Sequence, residues 1–122
     1  MRARILVIDD EDYIRRLVGY VLEQAGYDVV LASSAQEGLK LLREAHPDAV
    51  TLDLMMPGES GLELLHAKHV DPSIRDIPSL ILTAVGIQAD LDQARELGAT
   101  AMLNKPFSRQ QLVDSVRSVL GG

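Results

Sequence analysis

Two hydrophobic periodicities alternate along the chain. Short, continuous apolar runs rich in β-branched residues occur near residues 4–8, 27–32, 48–53, 77–84 and 99–104. Such runs are typical of strands that are buried on both faces of a sheet. After each run, apolar residues recur at the spacing i, i+3, i+4, i+7, which places them on one face of a helix. These segments predict helices near residues 14–25, 34–46, 61–70, 87–97 and 108–120.

Local signals mark where the predicted helices begin and end. Gly26 and Gly98 follow the first and fourth helices, as a C-terminal glycine does, and Pro47 closes the second. Residues 34–37 (SAQE) and 108–111 (SRQQ) have the form of a capping box. Five strand–helix units in strict alternation predict an α/β fold, a doubly wound parallel sheet of five strands with helices on both faces. We expect residues 1–122 to form a single domain.

Composition narrows the classes of function. The 122 residues carry 12 basic and 18 acidic side chains, a net charge of -6, and only 3% aromatic residues. An acidic surface with few aromatic side chains repels phosphate backbones, so we expect no direct binding to nucleic acid. The chain has no cysteine, which excludes thiolate metal sites. No apolar run has the length of a membrane span or a secretory signal, so we expect a cytoplasmic protein that does not bind membranes.

Polar residues that could carry chemistry follow four of the predicted strands. Asp9 and Asp10 follow the first strand, Asp53 ends the third, Thr83 ends the fourth and Lys105 follows the fifth. Ligands of open α/β sheets bind outside the carboxyl ends of the strands, so these side chains should meet at one edge. Three carboxylates there would repel each other, and a hard cation such as Mg²⁺ would offset that repulsion.

Each of these residues also has a structural explanation. Asp9 and Asp10 could cap the first helix and complement its dipole, and Asp53 could have only a structural role at its strand end. Thr83 could be an ordinary strand former, and Lys105 with Pro106 could be a common turn. We favour a functional site because the structural explanation requires an independent coincidence at four strand ends of one sheet.

Four motifs resemble those of the receiver domain of bacterial two-component response regulators. They are VIDDE at residues 7–11, LDLMMPG at 52–58, LTA at 82–84 and NKPF at 104–107. The resemblance covers the whole chain and implies the flavodoxin-like strand order 2-1-3-4-5 that this family shows. It also implies a phosphorylation-dependent signalling switch, and not an enzyme: the chain would catalyse only its own phosphorylation and slow dephosphorylation.

The resemblance implies a role for each residue of the acidic site. Asp53 would accept a phosphoryl group from the phosphohistidine of a histidine kinase or a phosphotransfer protein. Mg²⁺, with Mn²⁺ as a substitute, would be bound by Asp53 and directly by Asp10. Asp9 would act through water or as a partner of the groups that bind the metal directly. The backbone carbonyl of Met55 would be a further metal ligand. No cofactor besides the metal is implied.

The resemblance also implies how the phosphoryl group is held and sensed. Lys105 would pair with one phosphoryl oxygen and Thr83 would donate a hydrogen bond to another, while the Lys105–Pro106 peptide bond would be cis. The fourth helix, fifth strand and fifth helix would form the output face. That face would act on an output domain or target protein, or on a second copy of the chain.

Three positions affect the relay and the lifetime of this switch. Many receivers have an aromatic residue three positions before the lysine, where this chain has Met102. Met102 either repacks as a relay residue or is an ordinary core or surface methionine. Met55 and Val85 lie two residues after Asp53 and Thr83 in the sequence, and neither side chain can orient a water by hydrogen bonding. We therefore expect slow hydrolysis of the aspartyl phosphate.

Three other functions remain open from the sequence. A degenerate receiver could act only as a protein-interaction scaffold, although the complete set of acidic, threonine and lysine residues argues against this. A phosphohydrolase with an aspartyl-phosphate intermediate would need a second aspartate two residues after Asp53, where the chain has Met55. A mononucleotide-binding protein would need a phosphate loop after the first strand, where the chain has carboxylates.

Overall fold

The computed structural model describes residues 2–56, 59–83 and 88–121, with only the backbone described at positions 55, 59, 60, 88 and 89. The main strands are β1 (Arg4–Ile8), β2 (Asp28–Ala32), β3 (Ala49–Asp53), β4 (Ser79–Thr83) and β5 (Ala101–Asn104). The helices are α1 (Asp12–Gln24), α2 (Ala35–Ala45), α3 (Gly61–His69), α4 (Gln88–Glu96) and α5 (Arg109–Val119). Two short strands, Met55–Met56 and Glu59–Ser60, pair with each other between β3 and α3. This order confirms the predicted alternation.

The five main strands form one parallel sheet in the order β2-β1-β3-β4-β5. This is the order 2-1-3-4-5 that the resemblance implied, so the predicted fold class is confirmed. In the register, Asp53 pairs with Leu82 and Thr83 pairs with Asn104. The carboxyl ends of β3, β4 and β5 are therefore level with one another at one edge of the sheet.

The sheet separates two clusters of buried apolar side chains. Successive strand residues point to opposite faces, so a strand such as β1 supplies both clusters: Ile5 and Val7 belong to one, Leu6 and Ile8 to the other. The first cluster is covered by α1 and α5, and the second by α2, α3 and α4. All five residues of β3 and of β4 are buried. The packing of β3 and β4 thus fixes the positions of Asp53 and Thr83 at their carboxyl ends.

The two predicted capping boxes have different outcomes. At α5 the box is complete: Ser108 Oγ accepts the Gln111 N–H at 3.0 Å, and Gln111 Oε1 accepts the Ser108 N–H at 2.8 Å. At α2, Ser34 Oγ accepts the Glu37 N–H at 3.1 Å, but Glu37 Oε1 accepts from the Ser33 N–H at 2.7 Å. The backbone at Ser34 is more extended than at Ser108, with φ of −151° against −82°. Glu37 therefore accepts from the N–H of Ser33 and not from that of Ser34.

Other predicted boundaries shift by one or two residues. Helix α2 ends at Ala45 and His46 adopts the left-handed conformation, with φ of 44°, so the helix is already terminated before Pro47. Gly26 and Gly98 have φ of 100° and 92°, which confirms both as helix-terminating glycines. Strand β4 begins after Pro78, which has no N–H for the sheet. Among the described helices, none has the length and hydrophobicity required to cross a membrane.

Candidate functional site

The parallel sheet brings the four predicted strand ends to one edge. Asp9 and Asp10 directly follow β1, Asp53 is the last residue of β3, and Thr83 is the last residue of β4. Lys105 follows β5, and its backbone N–H donates to the Thr83 carbonyl at 2.7 Å. All five residues singled out from the sequence are therefore neighbours in the fold.

Three of these residues form a tight acidic cluster. Asp9, Asp10 and Asp53 each offer a carboxylate oxygen, and the three oxygens lie within 4.8 Å of one another. Asp9 is 2% exposed and Asp53 is 4% exposed, while Asp10 is partly exposed. Within residues 2–56, 59–83 and 88–121, this is the only cluster with the spacing of a metal site. Two buried carboxylates in such proximity require a positive charge nearby.

Lys105 supplies one such charge. Its ammonium nitrogen lies 3.2 Å from Asp53 Oδ2 and 3.5 Å from Asp9 Oδ2. Burial by itself would lower the pKa of Lys105, but the charges of Asp53 and Asp9 outweigh this effect and raise that pKa. Lys105 is therefore fully charged at neutral pH, and it bridges the two buried carboxylates.

Asp9 is held in place at every polar atom. Its Oδ1 accepts the Glu11 N–H at 2.9 Å, and its Oδ2 faces Lys105. Its N–H donates to the Ala32 carbonyl at 3.1 Å, and its carbonyl accepts from Arg15 Nη1 at 2.9 Å. Burial raises the pKa of Asp9, and the opposing effects of the Glu11 N–H and Lys105 do not cancel it. Both carboxylate oxygens of Asp9 thus already have partners.

Arg15 belongs to the site and was missed from the sequence. Its guanidinium also contacts the Asp12 carboxylate, and its side chain is only 13% exposed. The Asp12–Arg15 spacing of i, i+3 reads as an ordinary surface ion pair on a helix. The contact with the Asp9 carbonyl depends on how the chain turns from β1 into α1. No local sequence pattern predicts that turn.

The donor set fits Mg²⁺. Mg²⁺ takes oxygen ligands, keeps several waters, and is usually bound by one or two carboxylates together with phosphate oxygens. Asp10 and Asp53 provide such carboxylates, and the backbone of Met55 lies two residues beyond Asp53 in the first short strand. The expectation of slow aspartyl-phosphate hydrolysis depends on Val85 and on the side chain of Met55, and both lie outside the described part of the structure.

Thr83 and Met102 lie on the adjacent strands β4 and β5. Thr83 is 1% exposed at the end of β4. Met102 is half-buried on β5, pairs with Ile81 in the sheet register, and packs against the cluster covered by α2, α3 and α4. The Lys105–Pro106 peptide bond is cis, the isomer that the resemblance implied.

Known proteins resemble this chain in sequence over nearly its whole length. The sequence model of the family described as "Response regulator receiver domain" matches residues 5–117. The phosphate regulon transcriptional regulatory protein PhoB of Klebsiella pneumoniae is 40% identical over 120 residues, which are 98% of this chain and 52% of that protein. The polar-differentiation response regulator DivK of Brucella ovis is 31% identical over 121 residues, 99% of this chain and 98% of DivK. The chain spans about half the length of the PhoB relatives and nearly all of DivK.

Solved structures agree with the sequence relatives. A putative response regulator from Chloroflexus aurantiacus superposes with a TM-score of 0.92 at 34% identity and covers 100% of both chains. The chemotaxis protein CheY4 of Vibrio cholerae superposes with a TM-score of 0.92 at 30% identity, covering 98% of this chain and 99% of CheY4. With the family match, the relatives and the acidic cluster in agreement, the chain belongs to the response regulator receiver domain family.

Proposed function

We propose that residues 1–122 act as one receiver domain in which Asp53 accepts a phosphoryl group. The donor is the phosphohistidine of a histidine kinase or a phosphotransfer protein. An Asp53 carboxylate oxygen attacks phosphorus, the N–P bond breaks, and its electron pair stays on the histidine nitrogen. The observation that carries this proposal is the buried Asp53 carboxylate, 3.2 Å from a charged Lys105 and inside an acidic cluster.

The residues around Asp53 have distinct proposed roles. Bound Mg²⁺ would neutralise the negative charge that builds up between the carboxylates and the phosphoryl oxygens. Asp10, Asp53 and the Met55 carbonyl would hold the ion directly, and Asp9 through water, because both oxygens of Asp9 already have partners. Lys105 would pair with one phosphoryl oxygen, and Thr83 would donate a hydrogen bond to another.

The output of this module is a shift between two conformations. The phosphoryl group favours one of them through its contacts with Lys105 and Thr83. We propose that α4, β5 and α5 carry the shift to an output domain, a target protein or a second copy of the chain. Met102 lies on β5 next to the strand that ends in Thr83, so repacking of this flexible side chain could take the place of an aromatic relay.

Acetyl phosphate tests the proposal without a kinase. The protein is incubated with MgCl₂ and acetyl phosphate, and its intact mass is measured. We expect one phosphoryl adduct in the wild type and none in Asp53→Asn. No adduct in the wild type would favour a scaffold that only binds proteins, and continuous release of phosphate at a high rate would favour a phosphohydrolase.

We expect the phosphorylated form to be long-lived. Position 55, two residues after Asp53, carries a methionine that cannot align an attacking water, and Val85 has the same deficiency two residues after Thr83. The decay of the adduct is followed by intact mass after the donor is removed. Met55→Asn, which adds a hydrogen-bonding group, should shorten the half-life. A wild-type half-life of a few seconds would contradict this expectation.

A further inference from the structure

Two short paired strands lie between Asp53 and the start of α3. Met55 pairs with Ser60, and Met56 with Glu59, in a short antiparallel ladder. At the base of the ladder, the Gly61 N–H donates to the Leu54 carbonyl at 3.2 Å. Gly61 is also the first residue of α3 and is buried. The start of α3 is thereby in direct contact with the backbone next to the proposed phosphoacceptor.

This contact leaves no room for a side chain at position 61. A Cβ placed on Gly61 would lie 2.8 Å from Leu54 Cα, 3.0 Å from the Asp53 carbonyl oxygen and 3.1 Å from Leu54 Cδ2. The first two are backbone atoms, which cannot rotate away. Gly61 does not have a positive φ, so space alone, and not backbone conformation, requires glycine here.

Gly38 in α2 offers a contrast within the same molecule. A Cβ there would overlap Ile8 Cδ1 and lie 2.9 Å from Ile8 Cγ1 and 3.3 Å from Leu64 Cδ1. These atoms are parts of side chains, which can change rotamer. An alanine at position 38 therefore strains the core, whereas an alanine at position 61 displaces the backbone that carries Asp53 and leads into Met55.

We propose that Gly61 is a positioning residue for phosphoryl acceptance. By allowing α3 to touch the backbone of Asp53 and Leu54, it fixes the Asp53 carboxylate and the Met55 carbonyl relative to Asp10. This inference rests on the proposed function, in which those oxygens hold Mg²⁺. Mg²⁺ demands near-ideal octahedral geometry, so a displacement of a few tenths of an ångström in the backbone of Asp53 and Leu54 weakens the site.

The test compares Gly61→Ala with Gly38→Ala in the full chain. Stability is measured by urea unfolding without metal, Mg²⁺ affinity by titration calorimetry, and phosphorylation by intact mass with acetyl phosphate. For Gly61→Ala we expect the Mg²⁺ Kd to rise about tenfold and phosphorylation to slow about tenfold, because a displacement smaller than 1 Å should cost less than the hundredfold in rate that 1 Å can cost. Gly38→Ala should lose stability and keep both values of the wild type.

Each outcome supports or overturns the inference. If Gly61→Ala loses only stability, as Gly38→Ala does, Gly61 is a structural residue and the inference is wrong. If the wild type neither binds Mg²⁺ nor forms an adduct, the proposed function fails and this inference fails with it. If Gly61→Ala is unfolded in buffer, all three proteins are measured in sucrose, which favours the folded state; a Gly61→Ala protein that remains unfolded there makes position 61 a folding requirement and overturns the inference.

Discussion

Replacing Lys105 with methionine should strengthen Mg²⁺ binding and slow phosphoryl acceptance at the same time. The Lys105 ammonium lies 3.2 Å from Asp53 and 3.5 Å from Asp9, so its charge competes with a cation for these carboxylates. The same charge is placed to stabilise the phosphoryl oxygens as they develop negative charge. Loss of a single preorganised group of this kind typically slows a reaction by about 10²–10³, and we expect about a hundredfold here.

The metal-free stability of Lys105→Met should fall. The change leaves two buried carboxylates without their cation, and breaking a fully buried pair costs about 3–5 kcal/mol. Because the Lys105 side chain is 20% exposed, we expect a smaller loss of about 2 kcal/mol. Mg²⁺ should restore more stability to the variant than to the wild type.

Three measurements check this prediction: urea unfolding with and without MgCl₂, calorimetric titration with MgCl₂, and the rate of adduct formation. Lys40→Met is the matched control, because Lys40 is an exposed lysine on α2 and the change in charge is the same. A Lys105→Met protein that binds Mg²⁺ more weakly than the wild type would show that Lys105 does not compete with the metal.

Replacing Asp10 with asparagine should raise metal-free stability and weaken Mg²⁺ binding. Oxygens of Asp9, Asp10 and Asp53 lie within 4.8 Å of one another, and removing one negative charge relieves repulsion. The same charge attracts a divalent cation by several kcal/mol at an effective dielectric constant of about 20. We expect the Mg²⁺ Kd to rise about a hundredfold, which corresponds to about 2.8 kcal/mol.

A rise in metal-free stability together with a loss of Mg²⁺ affinity distinguishes a metal-binding role of Asp10 from a structural one. A capping role for Asp10 would make Asp10→Asn less stable or neutral without metal, and Mg²⁺ affinity would stay the same. Asp28→Asn is the matched control, since Asp28 is exposed and begins β2, at the opposite edge of the sheet. If Asp10→Asn binds Mg²⁺ as the wild type does, Asp10 is not a metal ligand.

The fold could be predicted because its signals are local. Strands buried on both faces read as continuous apolar runs, and β3 and β4 are buried at every residue. Gly26 and Gly98 end their helices with positive φ, which only a few residue types adopt easily. The acidic cluster followed from the fold, because parallel strands bring their carboxyl ends to one edge.

Contacts that depend on the path of irregular segments could not be predicted. Arg15 reaches the Asp9 carbonyl, and Gly61 lies against the backbone of Asp53 and Leu54, only because of how the chain turns between elements. Lys68 is a further example: a lysine near the end of a helix reads as exposed, yet it is 3% exposed. Its ammonium donates to the Arg75 carbonyl at 2.9 Å, and burial lowers the pKa of Lys68. The loop that follows α3 folds back over it, and no sequence periodicity describes that loop.

The central claim is that Asp53 is the residue that receives the phosphoryl group, and locating that group tests it most directly. The protein is treated with MgCl₂ and acetyl phosphate and reduced with sodium borohydride, which converts an aspartyl phosphate to homoserine. Peptides from a digest are then sequenced by mass spectrometry. We predict homoserine at position 53 and at no other position. Homoserine at position 9 or 10, a phosphate on a serine, threonine or histidine, or no modified peptide would contradict the account.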